Sequence, residues 1–301
     1  MTKEVKRSPL FYVGDKYKLI TEIRSHFPQK IKKLVEPFVG GGSVFMNVPA
    51  QEYLLNDLNA HVVGLHKYFC KCAFTEDVFF KNLYDVIDSY GLSCSFLQKN
   101  VPLELKKKFV KTYYARFNKQ GYQSLRANFI SSGQWNKLEL YVLLVYGFNH
   151  MLRFNKQGIF NLPVGNVDYN ANVNKALLDY FEVIRESNLC WQNYDFRDFF
   201  KRNVFTTDDL IYLDPPYLIS SSEYNKQWTS VEEVDLLKIL DELDAKNIKF
   251  AISNVTYYRG KVNEIFLKWS QQYNVHSIKS NYISYQDNTK KQFQEVLVTN
   301  F

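Results

Sequence analysis

Apolar and polar positions along the chain switch between two periods. From Lys16 to Phe27 the apolar residues recur at helical spacing, with loop ahead of them at Ser8-Pro9. Lys33–Glu36 is a short strand-like run, followed by Gly40-Gly41-Gly42 and a predicted helix from Ser43. Tyr53-Leu54-Leu55 predicts a second strand ending at Asn56-Asp57. This β–turn–α–β order opens a doubly wound sheet. Residues 61–140 read as mostly helical. Asn155-Lys156-Gln157-Gly158 is a turn signal between Leu152-Arg153-Phe154 and Ile159-Phe160 and predicts a β-hairpin. A helix over 174–187 follows. The α/β alternation then resumes with a strand at Leu210–Leu213, a helix over 230–244 and a strand at Lys249–Ser253. Val275–Lys279 and Glu295–Asn300 read as a closing antiparallel pair. The expected organisation is one α/β domain, 1–59 and 173–301, interrupted by a mostly helical insertion over 60–172.

Composition sharpens this picture in one place. The chain has 301 residues, 46% of them hydrophobic, enough to bury a sizeable core. Lys and Arg total 38 against 31 Asp and Glu, a net charge of +7. Residues 99–126 hold eight basic residues against Glu104 alone, leaving 30 of each sign elsewhere, so the whole excess lies within the insertion. An acidic partner is permitted but not required. Aromatic residues, at 17%, suit either a core or base stacking. The longest apolar run, Leu140–Phe148, is nine residues, whereas a spanning helix needs about 18, so no membrane association is expected. Met1–Arg7 is polar, with no signal-peptide segment after it. Cys70, Cys72, Cys94 and Cys190 form no CxxC pair and no zinc spacing, which fits a reducing cytoplasm and no metal.

The glycine turn Val35-Glu36-Pro37-Phe38-Val39-Gly40-Gly41-Gly42-Ser43 is neither GxGxxG nor a P-loop. Its glycines let backbone approach a ligand closely. Asp57, 15 residues after Gly42, can accept both ribose hydroxyls of an adenosine ligand. Taken alone this allows any nucleoside cofactor, NAD included. Ile211-Tyr212-Leu213-Asp214-Pro215-Pro216-Tyr217 narrows the choice. A strand ends in a stiff turn that presents an acid and an aromatic ring at the edge where open α/β sheets bind ligands. An exocyclic base amine is a poor nucleophile because its lone pair is delocalised into the ring. The Asp214 carboxylate and the Pro215 carbonyl, aimed at its two N–H bonds, favour the pyramidal geometry that frees the lone pair. The Tyr217 ring can stack on the base.

These two motifs in this order resemble the DNA adenine-N6 methyltransferases of the alpha group, the D12 class. The resemblance spans nearly the whole chain. It implies a Rossmann-like S-adenosylmethionine-dependent methyltransferase fold whose insertion is the DNA-recognition region. It implies S-adenosylmethionine as cofactor, S-adenosylhomocysteine as product and no metal. Phe11-Tyr12-Val13-Gly14-Asp15-Lys16-Tyr17 looks like the family's Trp-x-Gly-Gly-Lys cofactor motif, with Tyr12 for Trp, Asp15 for the second Gly, and Lys16 retained. Pro37, Phe38, Gly40, Gly42 and Ser43 match its methionine-side motif and Asp57 its ribose-binding position. Asp195-Phe196 resembles the pair that holds the cofactor adenine. Asp214-Pro215-Pro216-Tyr217 matches the catalytic motif.

By the same resemblance, Phe148–Asn155 and Gly158–Pro163 form the DNA-reading hairpin, with Arg153 on a base edge, Asn149 either filling the gap left by the flipped base or contacting a neighbour, and Asn155 also on the DNA. Arg116 and Lys119 in the basic stretch, and Lys290 and Lys291 in a later loop, are expected on phosphates. Members that methylate GATC carry a Lys where this chain has Phe11, which cannot donate to a guanine, so a different short site is expected. The implied substrate is a flipped-out adenine in double-stranded DNA. The implied setting is a restriction-modification system, with a cognate endonuclease that methylation itself does not need, and the chain is expected to act as a monomer. N4-cytosine methylation shares the chemistry, and RNA or protein-glutamine methylation lies further off. A non-catalytic DNA-binding protein of the same fold is the alternative from another class.

Overall fold

A computed structural model describes residues 4–220, 228–278 and 293–301. The chain divides into two compact units. Lys16–Val39, Asn47–Asn59 and Ser187–Phe301 make a sheet unit; Met1–Asp15, Gly40–Met46 and Ala60–Glu186 make a helical one.

The sheet unit carries β1 (Lys33–Glu36), β2 (Glu52–Asn56), β3 (Leu189–Gln192), β4 (Leu210–Leu213), β5 (Lys249–Tyr258), β6 (Lys261–Val262), β7 (Asn274–Ile278) and β8 (Phe293–Thr299). Their order is β3-β2-β1-β4-β5-β8-β7, with β6 beside β5. The first five run parallel, and β8 is antiparallel to both β5 and β7. Every residue of β4 is buried, as its unbroken Leu-Ile-Tyr-Leu predicts for a strand covered on both faces. Leu236, Leu237, Leu240 and Leu243 of α9 (Ser230–Asp244) pack on Ile211, Phe250, Ile252 and Val296. A capping box starts α9: Thr229 N donates to Glu232 Oε2, and Thr229 Oγ1 accepts from Val231 N. The chain steps outward from β1 to β2 to β3 and then returns to β4 on the other flank of β1. The crevice beyond β1 and β4 is therefore the topological switch point.

Two expectations need correction here. No helix starts at Ser43; residues 43–48 are turns, with Met46 N reaching Gly42 O. Pro49 disfavours helical backbone at Val48, and the five residues left are too few to sustain a helix. The first helix is also shorter than predicted, since α1 covers only Ile20–Ser25.

The helical unit holds α2 (Ala60–Cys72), α3 (Glu76–Ser89), α4 (Leu103–Lys108), α5 (Tyr113–Ser131), α6 (Lys137–Tyr146) and α7 (Ala171–Glu186). The apolar run 140–146 is buried along its whole length, which makes α6 the centre of this unit. Asn136 caps α6 by accepting from Leu138 N and Glu139 N. The predicted hairpin is looser than a continuous ladder. Two isolated antiparallel bridges, Gly147↔Val164 and Phe154↔Phe160, close it. Phe154 stacks on His61 at 3.9 Å.

Candidate active site

Because β1 to β4 run parallel, their carboxyl ends share one edge of the sheet. Along it stand Asp195 after β3, Asp57 after β2, Phe38 after β1 and Asp214 after β4. At the usual strand spacing that row spans roughly 15 Å. Buried Asn56 ties three of the ends together. Its Nδ2 donates to Pro37 O (2.9 Å) and Tyr194 O (3.0 Å), and its Oδ1 accepts from Tyr194 N (2.9 Å). Its backbone carbonyl accepts from Val39 N.

Asp214 is the centre of a compact ionic cluster. Lys16, 4% exposed, places Nζ 2.6 Å from Asp214 Oδ2 and 3.7 Å from Glu295 Oε1. The Tyr217 hydroxyl donates to Asp214 Oδ1 at 2.8 Å and lies 3.3 Å from Glu295 Oε1. Burial, reinforced by the two carboxylates, holds the Tyr217 hydroxyl protonated well above its usual range. Burial also raises the Glu295 carboxyl, against the pull of Lys16. Lys16 and the Asp-Pro-Pro-Tyr turn, separated by 198 residues of chain, thus meet.

Other strand-end residues also carry structural duties. Asp57 Oδ1 accepts from Asn59 N at 2.8 Å. Asp195 caps α8 (Phe196–Arg202) through Arg197 N at 2.9 Å and faces the Arg197 guanidinium at 3.6 Å. Phe196 is 4% exposed inside the sheet unit's core, with Phe38 and Trp228 near 5.7 Å and 5.5 Å. The structure thus packs Phe196 as a core ring and leaves Phe38 partly exposed.

In the helical unit the glycine turn is gripped from several sides. Gly40 and Gly42 hold left-handed backbone, at φ 49° and 80°. A Cβ on Gly41 would lie 2.8 Å from Tyr12 Cβ, and one on Gly42 would lie 2.3 Å from Phe45 Cε1. Internal packing therefore demands glycine here, in addition to any need of a ligand. Fully buried His66 places Nε2 2.9 Å from Gly40 O and Nδ1 against the Tyr180 hydroxyl. Burial lowers this imidazole to about 4, so at neutral pH it is uncharged. The contacts fit the tautomer in which Nε2–H donates to the carbonyl and Nδ1 accepts from tyrosine.

Of the residues expected on DNA, Arg116, Lys119 and Asn149 are exposed. Asn149 has φ 54°. The Arg116 guanidinium lies 3.8 Å over the Phe109 ring. Arg153 is half-buried and donates twice to Asn161, from Nε to Oδ1 (3.0 Å) and from an Nη to the backbone carbonyl (2.7 Å). Asn155 Oδ1 accepts from Gln157 N and Ile159 N, so it holds the turn together. Phe11 does not reach the surface: it is 8% exposed, 4.9 Å from the His150 ring and 4.6 Å from the Arg7 guanidinium. Lys290 and Lys291 lie outside the described residues.

Glu295 and His66 were not predicted, and Asn56 only as part of the strand end before Asp57. Glu295 alone carried a visible signal, an acid heading the apolar run Val296-Leu297-Val298.

The doubly wound sheet thus carries its Asp-Pro-Pro-Tyr turn at the topological switch point. A family model for D12 class N6 adenine-specific DNA methyltransferases matches residues 12–283, and the chain belongs to that family. It is 33% identical over 309 residues to the type II methyltransferase M.FokI of Planomicrobium okeanokoites, covering 100% of this chain and 44% of that protein. The modification methylase StsI of Streptococcus sanguinis is 32% identical over 311 residues, again 100% and 44%. The chain thus spans less than half the length of these two relatives. The DNA adenine methylase of Escherichia coli K12 is 26% identical over 97% of this chain and 94% of its own.

Proposed function

We propose that this chain transfers a methyl group from S-adenosylmethionine to N6 of a flipped-out adenine in double-stranded DNA. The observation that carries this reading is the row Asp195, Asp57, Phe38, Asp214 along one sheet edge. Its order matches the parts of the reactants: adenine amine, ribose hydroxyls, the methionine side, then the accepting amine. Two carboxylates and a partly exposed ring are the donor set such a nucleoside needs, so these residues fit the cofactor. When bound, S-adenosylmethionine supplies a methyl group already activated by its sulfonium. The protein's part is positioning and electrostatics. Asp214 and the Pro215 carbonyl accept the two N–H bonds of the target amine while Tyr217 stacks on its ring. Tyr12, Lys16, Pro37, Gly40, Gly42 and Ser43 serve the methionine side, and Phe196 backs the adenine from within the core.

Base reading belongs to the helical unit. Arg153 and Asn149 read the site, Asn155 holds the reading turn in shape, and Arg116, Lys119, Lys290 and Lys291 follow phosphates. The names of M.FokI, StsI and their kind support a restriction-modification setting, with an endonuclease cutting the same site. The working form is a monomer in the cytoplasm. The test is methyl transfer from labelled cofactor to duplex DNA, followed by sequencing that maps the modified base. N6-methyladenine at one short recurring site is expected. N4-methylcytosine, or no transfer by the intact protein, would overturn the reading.

A further inference from the structure

Methyl transfer releases a proton that needs an acceptor. As the carbon–sulfur bond breaks, sulfur keeps the electron pair; as the carbon–N6 bond forms, N6 must shed one hydrogen as a proton. Beyond Asp214 the sheet unit offers a path for it. The Tyr217 hydroxyl stands between two carboxylates, 2.8 Å from Asp214 Oδ1 and 3.3 Å from Glu295 Oε1. Glu295 is 2% exposed, and its Oε2 is buried with no hydrogen-bond partner among the described residues. Among those residues Lys16 is the one cation within 4 Å of either carboxylate, so two negative charges face one positive. The cluster therefore has capacity for one more proton. The register partners of Glu295, Val255 on β5 and Ile278 on β7, do not titrate; the nearest titrating residue on the described part of β7 is His276, opposite Leu297 and packed against His26. Tyr212 on β4 is close enough to feel its charge, and its hydroxyl is paired with Ser253 at 2.8 Å.

Resting on the methyl-transfer reading above, we propose that Glu295 is the positioning residue that takes the N6 proton through Tyr217. Asp214 accepts the proton from N6 and passes it to the Tyr217 oxygen, while the hydroxyl's own proton moves to Glu295 Oε1. Tyr217 ends as it began, Asp214 is again a carboxylate, and Glu295 is neutral. The route runs backwards to solvent once the methylated base has left. Burial, which disfavours the Glu295 carboxylate, suits it to this duty.

Glu295→Gln keeps the shape and an acceptor for the Tyr217 hydroxyl but cannot take a proton. With cofactor and duplex DNA saturating, its single-turnover rate should fall at least tenfold. Affinity for both should stay within twofold of wild type. The wild-type rate should rise with pH as Glu295 ionises, and Glu295→Gln should lose that rise. Glu295→Asp, still titratable, should recover part of the rate, and in a Tyr217→Phe background Glu295→Gln should add no further loss. Active wild type with an unchanged rate and pH profile in Glu295→Gln would overturn the relay alone, as would an equal loss in the Tyr217→Phe background. Wild type that transfers no methyl group would overturn the function and the relay together.

Discussion

Asp214 is held by Lys16 and Tyr217 at 2.6 and 2.8 Å, so its carboxylate is aimed by the fold itself. Asp214→Ala should lower methyl transfer by two to three orders of magnitude, the scale of losing one preorganised polar group. DNA binding, measured by gel shift, should survive. His66 supports the glycine turn differently, by staying neutral where it is buried. Its imidazole titrates near 4 in the folded chain against 6.5 when exposed. Between those values the unfolded chain takes up a proton that the folded one refuses. Stability is therefore intact above about pH 6.5 and drops as pH falls toward 4, by about 3 kcal/mol in all. Denaturant melts across that range should show the fall, and His66→Gln should flatten it.

Elements differ in how openly the sequence announces them, and the reason is burial. β1, β2 and β4 are short apolar runs because both faces are covered, and they are where the sequence puts them. β3 is half-exposed at the sheet's end, so Leu-Cys-Trp-Gln carries no strand signature. The turn after Gly42 resembles a helix start by its glycines, yet Pro49 stops it. The Asp-Pro-Pro-Tyr turn was legible because its chemistry is local. The duties of Asn56 and Glu295 were not, since their contacts with Tyr194 and Tyr217 join positions 138 and 78 residues apart. The Asn56 tie spans three strand ends, and Asn56→Ala would leave the buried Pro37 carbonyl, and that of Tyr194, without this partner. A loss of about 3 kcal/mol in unfolding free energy is expected, with weaker cofactor binding by calorimetry. On α5, Arg116→Ala or Lys119→Ala should each weaken DNA binding across all sequences and reduce its salt slope by about one.

For the whole molecule the charge distribution and the buried Phe11 set expectations together. Affinity for duplex DNA should fall steeply with added salt, because the entire basic excess lies in residues 99–126. Phe11 offers no donor to guanine and is enclosed by Arg7 and His150. A plasmid methylated by this protein should therefore remain largely unmodified at GATC, read by cleavage with an enzyme that needs bare GATC. The sheet has a further property at this scale. Of the described strands β8 follows the others in sequence yet lies between β5 and β7, pairing with both. A nascent chain stalled on the ribosome before Phe293 would expose two strand borders at once, each a template for stray pairing. Productive folding of the sheet thus waits on Phe293–Thr299, and deleting that segment should yield aggregates rather than a merely weakened protein.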